Sequence, residues 1–221
     1  MTSVRVSLAG LAAVLIASLV GGVSSAGAPP APSAESDCAK RKIEPMSEER
    51  FWALIGLTTA HERNPERQIA ALHSALATLP LDQIEAFEAA FSNLMARSHS
   101  WGLWGAAYVA NGGASDDGFE YFRRWLISKG RKAFEQVLAD PDSLAELVDP
   151  RTKAALEFEA FAYVARKAWS AKSGRPESEL ANAAAIAYPR QPTGTPFRED
   201  KAHLSARYPK LWHRFGAQPL R

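Results

Sequence analysis

Residues 101–128 read WGLWGAAYVANGGASDDGFEYFRRWLIS, and their spacing decides the fold. Trp101, Trp104 and Tyr108 fall at i, i+3 and i+7, one face of an α-helix. Gly105, Ala106 and Ala107 are small and let a second helix approach closely. Asn111-Gly112-Gly113 ends the helix, because glycine accepts the left-handed conformation of a C-cap without steric cost. Ser115 is then a good N-cap, and Asp116 and Asp117 sit in the next first turn. There carboxylates meet free amides and the positive end of the helix dipole. Phe119, Phe122 and Leu126 form the apolar stripe of that second helix, with Arg123 and Arg124 on its flank. Asp116 and Arg123, like Asp117 and Arg124, are seven residues apart, two turns along one side. The stretch reads as a helical hairpin.

The same punctuation continues on both sides. Asn64 caps and Pro65 takes the first helical position, after which Ile69, Leu72, Leu76 and Leu79 mark one face. Asp82 is expected to cap the next helix, whose face is Ile84, Phe87, Phe91 and Leu94. Asp140-Pro141 and Asp149-Pro150 are two further cap-and-proline starts. The second is expected to open a long helix carrying Phe158, Phe161, Ala165 and Trp169 on one face, stopped by Gly174. No stretch alternates apolar and polar residues over strand length. The predicted fold is all-α, a compact multi-helix domain built from helical hairpins and preceded by an N-terminal export signal and linker.

Arg5 precedes the apolar run LAGLAAVLIASLVGGV, and small residues follow at Ser24, Ser25 and Ala26. Basic start, apolar stretch and small residues are the order of a secretory signal, cut after Ala26. The alternative is an uncleaved anchor, since residues 6–28 hold no charge over 23 positions. Residues 27–45, rich in Pro, Ala and Ser, read as a flexible linker. Met46, at the head of the domain, is an alternative start. The helical domain is expected over 46–187, and a basic C-terminal segment packed on it over 188–221. Residues 46–187 hold 15 Lys/Arg against 19 Asp/Glu, a net of −4, and residues 188–221 hold 7 against 2, a net of +5. The overall balance of +2 makes no case for nucleic acid. The predicted location is exported, periplasmic or extracellular.

Cys38 is the single cysteine, so no internal disulfide forms. None of the five histidines is paired with another at i, i+4, and H-E-x-x-H and C-x-x-C are both missing. A zinc site is therefore not expected, nor any other metal or cofactor. Ser115 misses the G-x-S-x-G elbow of a hydrolase serine. What remains is the density of chemistry at the hairpin. Trp101, Trp104 and Tyr108 offer stacking walls, Arg123 and Arg124 bind anions, and Ser115, Asp116 and Asp117 offer hydroxyl and carboxylate groups. These eight residues are the candidate ligand site. Adjacent aspartates point roughly 100° apart on a helix and rarely flank one substrate atom.

The segments FWALI, LWGAAYVANGGASDDGFEYFRRWLISKGRKAFEQVLADPDSLA and GTPFREDKAHLSARYP resemble the bacterial domain-of-unknown-function family 4240. The resemblance runs over residues 46–215 and implies a compact helical domain. It carries no activity. Gly102 stands where the family's pattern has an acidic residue and Ala114 where it has cysteine, and export is a further departure.

The expected function is thus a non-enzymatic binding or regulatory module using the cleft between residues 101 and 124, its partner a protein or a small molecule. The rival is a hydrolase-type enzyme using Asp116, Asp117 and His99 around a divalent cation. The third reading is a hairpin motif with a purely structural role.

Overall fold

Ser47 accepts a hydrogen bond from the Arg50 amide and starts α1, Glu48–Gly56, whose Phe51, Trp52 and Ile55 point into the core. A computed structural model describes residues 43–185 and 189–220. The signal expected at 1–26, most of the linker and the 187/188 boundary lie outside the described residues. Among the described residues the structure is all-helical, and no helix is long and apolar enough to cross a membrane.

Asn64 caps α2, Pro65–Ala77, through its Oδ1 and the Arg67 amide at 2.9 Å, as its sequence predicts. The next helix departs from expectation. α3, Leu81–Arg97, begins behind Pro80, so Asp82 lies in the first turn instead of capping it. The Pro80 carbonyl takes the Gln83 and Ile84 amides, both at 3.1 Å, which sets the start two residues earlier. Ser100 caps α4, Trp101–Asn111, and Gly112 ends it at φ 71°. Ser115 caps α5, Asp116–Ser128, by accepting from the Gly118 amide at 3.1 Å. The hairpin is present. α6, Arg131–Ala139, follows, then a 3-10 turn over Pro141–Ser143 and α7, Leu144–Leu147.

The long helix expected from Asp149-Pro150 does not form. Asp149 Oδ1 accepts from the Arg151 amide two residues on at 2.9 Å, the turn that aspartate makes in competition with a helix. The Leu156 amide donates to Asn111 Oδ1 at 2.9 Å and the Phe158 amide to the Tyr121 carbonyl at 3.1 Å. These long-range bonds hold residues 149–158 against the hairpin. Helix returns as a 3-10 segment, Glu159–Tyr163, and α8, Val164–Ser173, closed by Gly174 at φ 71°. Phe158 is buried from the loop, apart from the helix that carries Ala165 and Trp169. α2 and α3 both pack on α8.

After α9, Glu177–Ala183, the chain returns as α10, Lys201–Arg207, and α11, Pro209–Phe215. α11 packs on α4. Asp142, buried, accepts from the Lys210 and Leu211 amides at 3.0 and 2.9 Å and so satisfies the start of α11 from afar. The Leu220 amide donates to the Ala110 carbonyl at 2.8 Å.

Candidate functional site

The eight candidate residues divide between two environments. Trp101 and Trp104 stack at 5.2 Å, Trp104 and Phe119 at 4.9 Å, and the series runs on through Phe122 to Trp125. Trp104 also donates its indole N–H to the Ala114 carbonyl at 2.9 Å, locking the hairpin turn. Arg123 is 5% exposed, donates to the Met95 carbonyl at 2.6 Å, and stands 4.8 Å from the Phe119 ring centre. Arg124, 8% exposed, donates to the Glu159 carbonyl at 3.0 Å, pairs with Glu120 one turn back, and lies near Tyr121 and Tyr163. Both guanidinium groups brace the core. Asp116 and Asp117 stay exposed, and Ser115 is committed to capping.

The aromatic face of α4 is covered by the chain itself. Thr193 exchanges backbone hydrogen bonds with its two partners, taking the Trp101 amide at 2.9 Å and donating to the His99 carbonyl at 3.0 Å. Phe197 lies 6.2 Å from Trp101 and 5.4 Å from Tyr108, and the Tyr108 hydroxyl donates to Glu199 Oε2 at 3.1 Å. Burial pushes the Tyr108 hydroxyl's pKa up, helped by Glu199. His99 stacks near Phe119 at 6.1 Å. Burial and then Arg123 hold its imidazole below the usual range, against the opposing pull of Asp116. Among the described residues no three of His, Cys, Asp or Glu are grouped to hold a metal ion.

An opening among the described residues lies elsewhere, at the far end of α5. A cavity of about 610 Å³ is bounded by the start of α2, the end of α5 and the 147–158 segment. Gln68, buried, donates its amide to the Ser128 carbonyl at 2.8 Å and to Thr58 Oγ1 at 3.3 Å, fixing α2 to α5. Lys129, the C-cap residue of α5, has a side chain only 14% exposed. Its ammonium donates to the Glu62 carbonyl at 3.3 Å, is 3.9 Å from Glu62 Oε2 and 5.1 Å from the Trp125 ring centre. Burial pushes the Lys129 amine's pKa down; Glu62 opposes this, Arg63 adds to it and Asp149 opposes it again. Asp149 sits between Arg63, at 2.6 Å, and Arg151, which grips it through two side-chain bonds of 3.2 Å. The Arg151 hydrogen bonds hold the Asp149 carboxyl down at about 2. Lys153 completes the cationic lining.

Sequence reasoning passes over this cavity. Its one local signal is Trp125 and Lys129 at i, i+4 on a helix face, and that spacing alone does not bring Glu62 or Asp149 beside them.

The architecture defines the class as an all-helical domain with a cationic cavity against an aromatic row. Residues 46–171 match the family model described as "Protein of unknown function (DUF4240)", more than half of the chain, and the protein belongs to that family. No curated protein and no solved structure matches it. Every cavity residue, from Glu62 to Phe158, falls inside the matched segment, whereas Thr193, Phe197 and Glu199 lie outside it.

Proposed function

We propose that this domain is a ligand-binding module that performs no reaction of its own, and that its ligand is a small molecule held in the Lys129 cavity. One observation carries the reading: an ammonium group with 14% of its side chain exposed stands at the wall of an open cavity. Withdrawing such a group from water is costly. Its contacts here are long, with the Glu62 carbonyl at 3.3 Å, the Glu62 carboxylate at 3.9 Å and the Trp125 ring centre at 5.1 Å, so an anion in the cavity would add to them. A volume of about 610 Å³ lies within the usual range for small-molecule sites. The acidic balance of residues 46–187 favours a small molecule over nucleic acid. The signal-like order of residues 1–26 supports an exported protein, whose ligand is then met outside the cytoplasm.

Native mass spectrometry of the full chain recovered from its own host tests this against Ala155→Trp, which fills the cavity. A bound small molecule in the wild type and its loss from the variant is the expected result. Equal retention by both would sink the cavity as the site.

A second reading keeps Trp101, Trp104 and Tyr108 as a protein-binding face. It rests on Phe197, which occupies that face from a segment without helix. Crosslinking to a partner that rises in Phe197→Ala would support it, and an unchanged pattern would remove it.

A further inference from the structure

We infer that the cavity takes a small organic anion, a carboxylate or a phosphate ester on a short apolar arm. This deepens the cavity reading above and rests on it. The charges at the wall are four cations, Arg63, Lys129, Arg151 and Lys153, against three carboxylates, Glu62, Asp149 and Glu157. Asp149 is shared by Arg63 and Arg151 at 2.6 and 3.2 Å and acts on Lys129 only through space, without an ion-pair contact. The carboxylate nearest Lys129, that of Glu62, is 47% exposed and 3.9 Å away, at the limit of an ion pair. Water screens such a contact, and the Glu62 carbonyl at 3.3 Å and the Trp125 ring are neutral partners, so no close carboxylate balances the ammonium's charge. One negative charge between Lys129 and Lys153 would balance the wall, which a carboxylate supplies and a phosphate monoester, at about −1.5 to −2, exceeds.

The start of α2 faces the same space through Pro65, and its dipole adds positive potential in the same direction. Trp125 has Phe122 stacked at 5.8 Å and the Lys129 ammonium over its ring, so a ligand ring does not compete for it. Pro65, Leu147, Leu156 and Phe158 supply apolar wall instead. An anionic head with an aliphatic arm matches that division; an inorganic anion would leave the apolar wall in water.

The test uses the full chain labelled with 5-fluorotryptophan, the Trp125 resonance being assigned by Trp125→Phe. Hexanoate, hexyl phosphate, inorganic phosphate, hexanol and hexylamine are titrated in turn. Hexanoate or hexyl phosphate should shift the Trp125 signal to saturation, and which of them binds more tightly identifies the head. Hexanol and hexylamine should bind at least about tenfold more weakly, the loss expected for one charge-assisted contact. Lys129→Gln should weaken the preferred anion by a similar factor, and Lys129→Arg should retain it. Should Lys129→Gln not fold, Lys153→Gln at an exposed position should still weaken the anion about threefold.

Hexanol binding as tightly as hexanoate, with both lost in Ala155→Trp, would overturn the anion while leaving the cavity reading intact. No probe moving Trp125 would also overturn the anion. The cavity reading would then stand or fall on the native mass spectra alone.

Discussion

The hydroxyl of Tyr208 donates to the carbonyl of Gly102 at 2.9 Å, across more than a hundred residues of sequence. The ring reaches α4 because Gly105, one turn on, has no side chain; a Cβ there would overlap the phenol. Glycine costs a helix about 1 kcal/mol relative to alanine, so its presence in mid-helix reflects this packing. The terminal segment is thereby keyed into the domain at a position within the family match.

Gly105→Ala should therefore destabilise the protein, against the usual gain from alanine in a helix. Displacing a buried tyrosine costs about 1–3 kcal/mol, whereas Tyr208→Phe loses one hydrogen bond, about 1 kcal/mol. Urea unfolding measures both. The alanine variant being more stable than wild type would refute the close fit.

Asp142→Ala should cost about 1–2 kcal/mol, because two amides at the start of α11 lose their acceptor. The damage should be local. Hydrogen exchange should quicken at Lys210 and Leu211 and remain slow in α3, and uniform acceleration would count against a capping role.

The hairpin residues should separate by burial. Arg123→Ala removes a 5% exposed side chain and leaves the Met95 carbonyl without that donor, a loss of about 2–4 kcal/mol. Ser115→Ala should cost about 1 kcal/mol as a lost cap. Asp117→Ala, exposed in the first turn of α5, should cost about 0.5 kcal/mol. Equal losses for Asp117 and Arg123 would contradict this arrangement.

Glu88, 1% exposed, is paired with Arg166 at 2.6 Å, yet burial outweighs the pairing and pushes its carboxyl's pKa up. The unfolded chain then releases this proton at lower pH than the folded chain. Between those two values the folded state holds more protons, so stability falls as pH rises. Glu88→Gln should remove that fall while keeping an acceptor for Arg166. Unfolding curves across the mildly acidic range decide it, and an unchanged slope would place the titration elsewhere.

Lys129 works with the opposite sign. Its amine is pushed down, so on the alkaline side the folded chain gives up its proton before the unfolded chain does. Stability should rise with pH through that window. Lys129→Met should lie within about 1 kcal/mol of wild type at neutral pH, since the ammonium's poor solvation offsets its contacts, and should lose the alkaline rise. A loss well beyond that would make Lys129 a structural brace and weaken its assignment to a ligand.

The extent of what was readable follows the range of the interactions. Asn64, Ser115, Gly112 and Gly174 act within four residues of their own helix ends, and each does in the structure what its local sequence foretells. Asp149 obeys a local rule too, but a competing one: its carboxylate turns the chain where proline would have started a helix. Pro80 displaced Asp82 for a similar reason, by offering its carbonyl two residues earlier.

The amino-acid sequence by itself determined the helical class, the hairpin at residues 101–128 and the family, because periodicity, caps and glycine turns are short-range properties carried by neighbouring residues. Tertiary structure alone decided the chemistry of the surface. It turned Arg123 and Arg124 inward, laid Phe197 over Trp101 and Tyr108, and brought Glu62 and Asp149 to Lys129. Those contacts join residues about 20 to nearly 100 positions apart, and their energies depend on burial and dielectric, which arise only once the helices have packed.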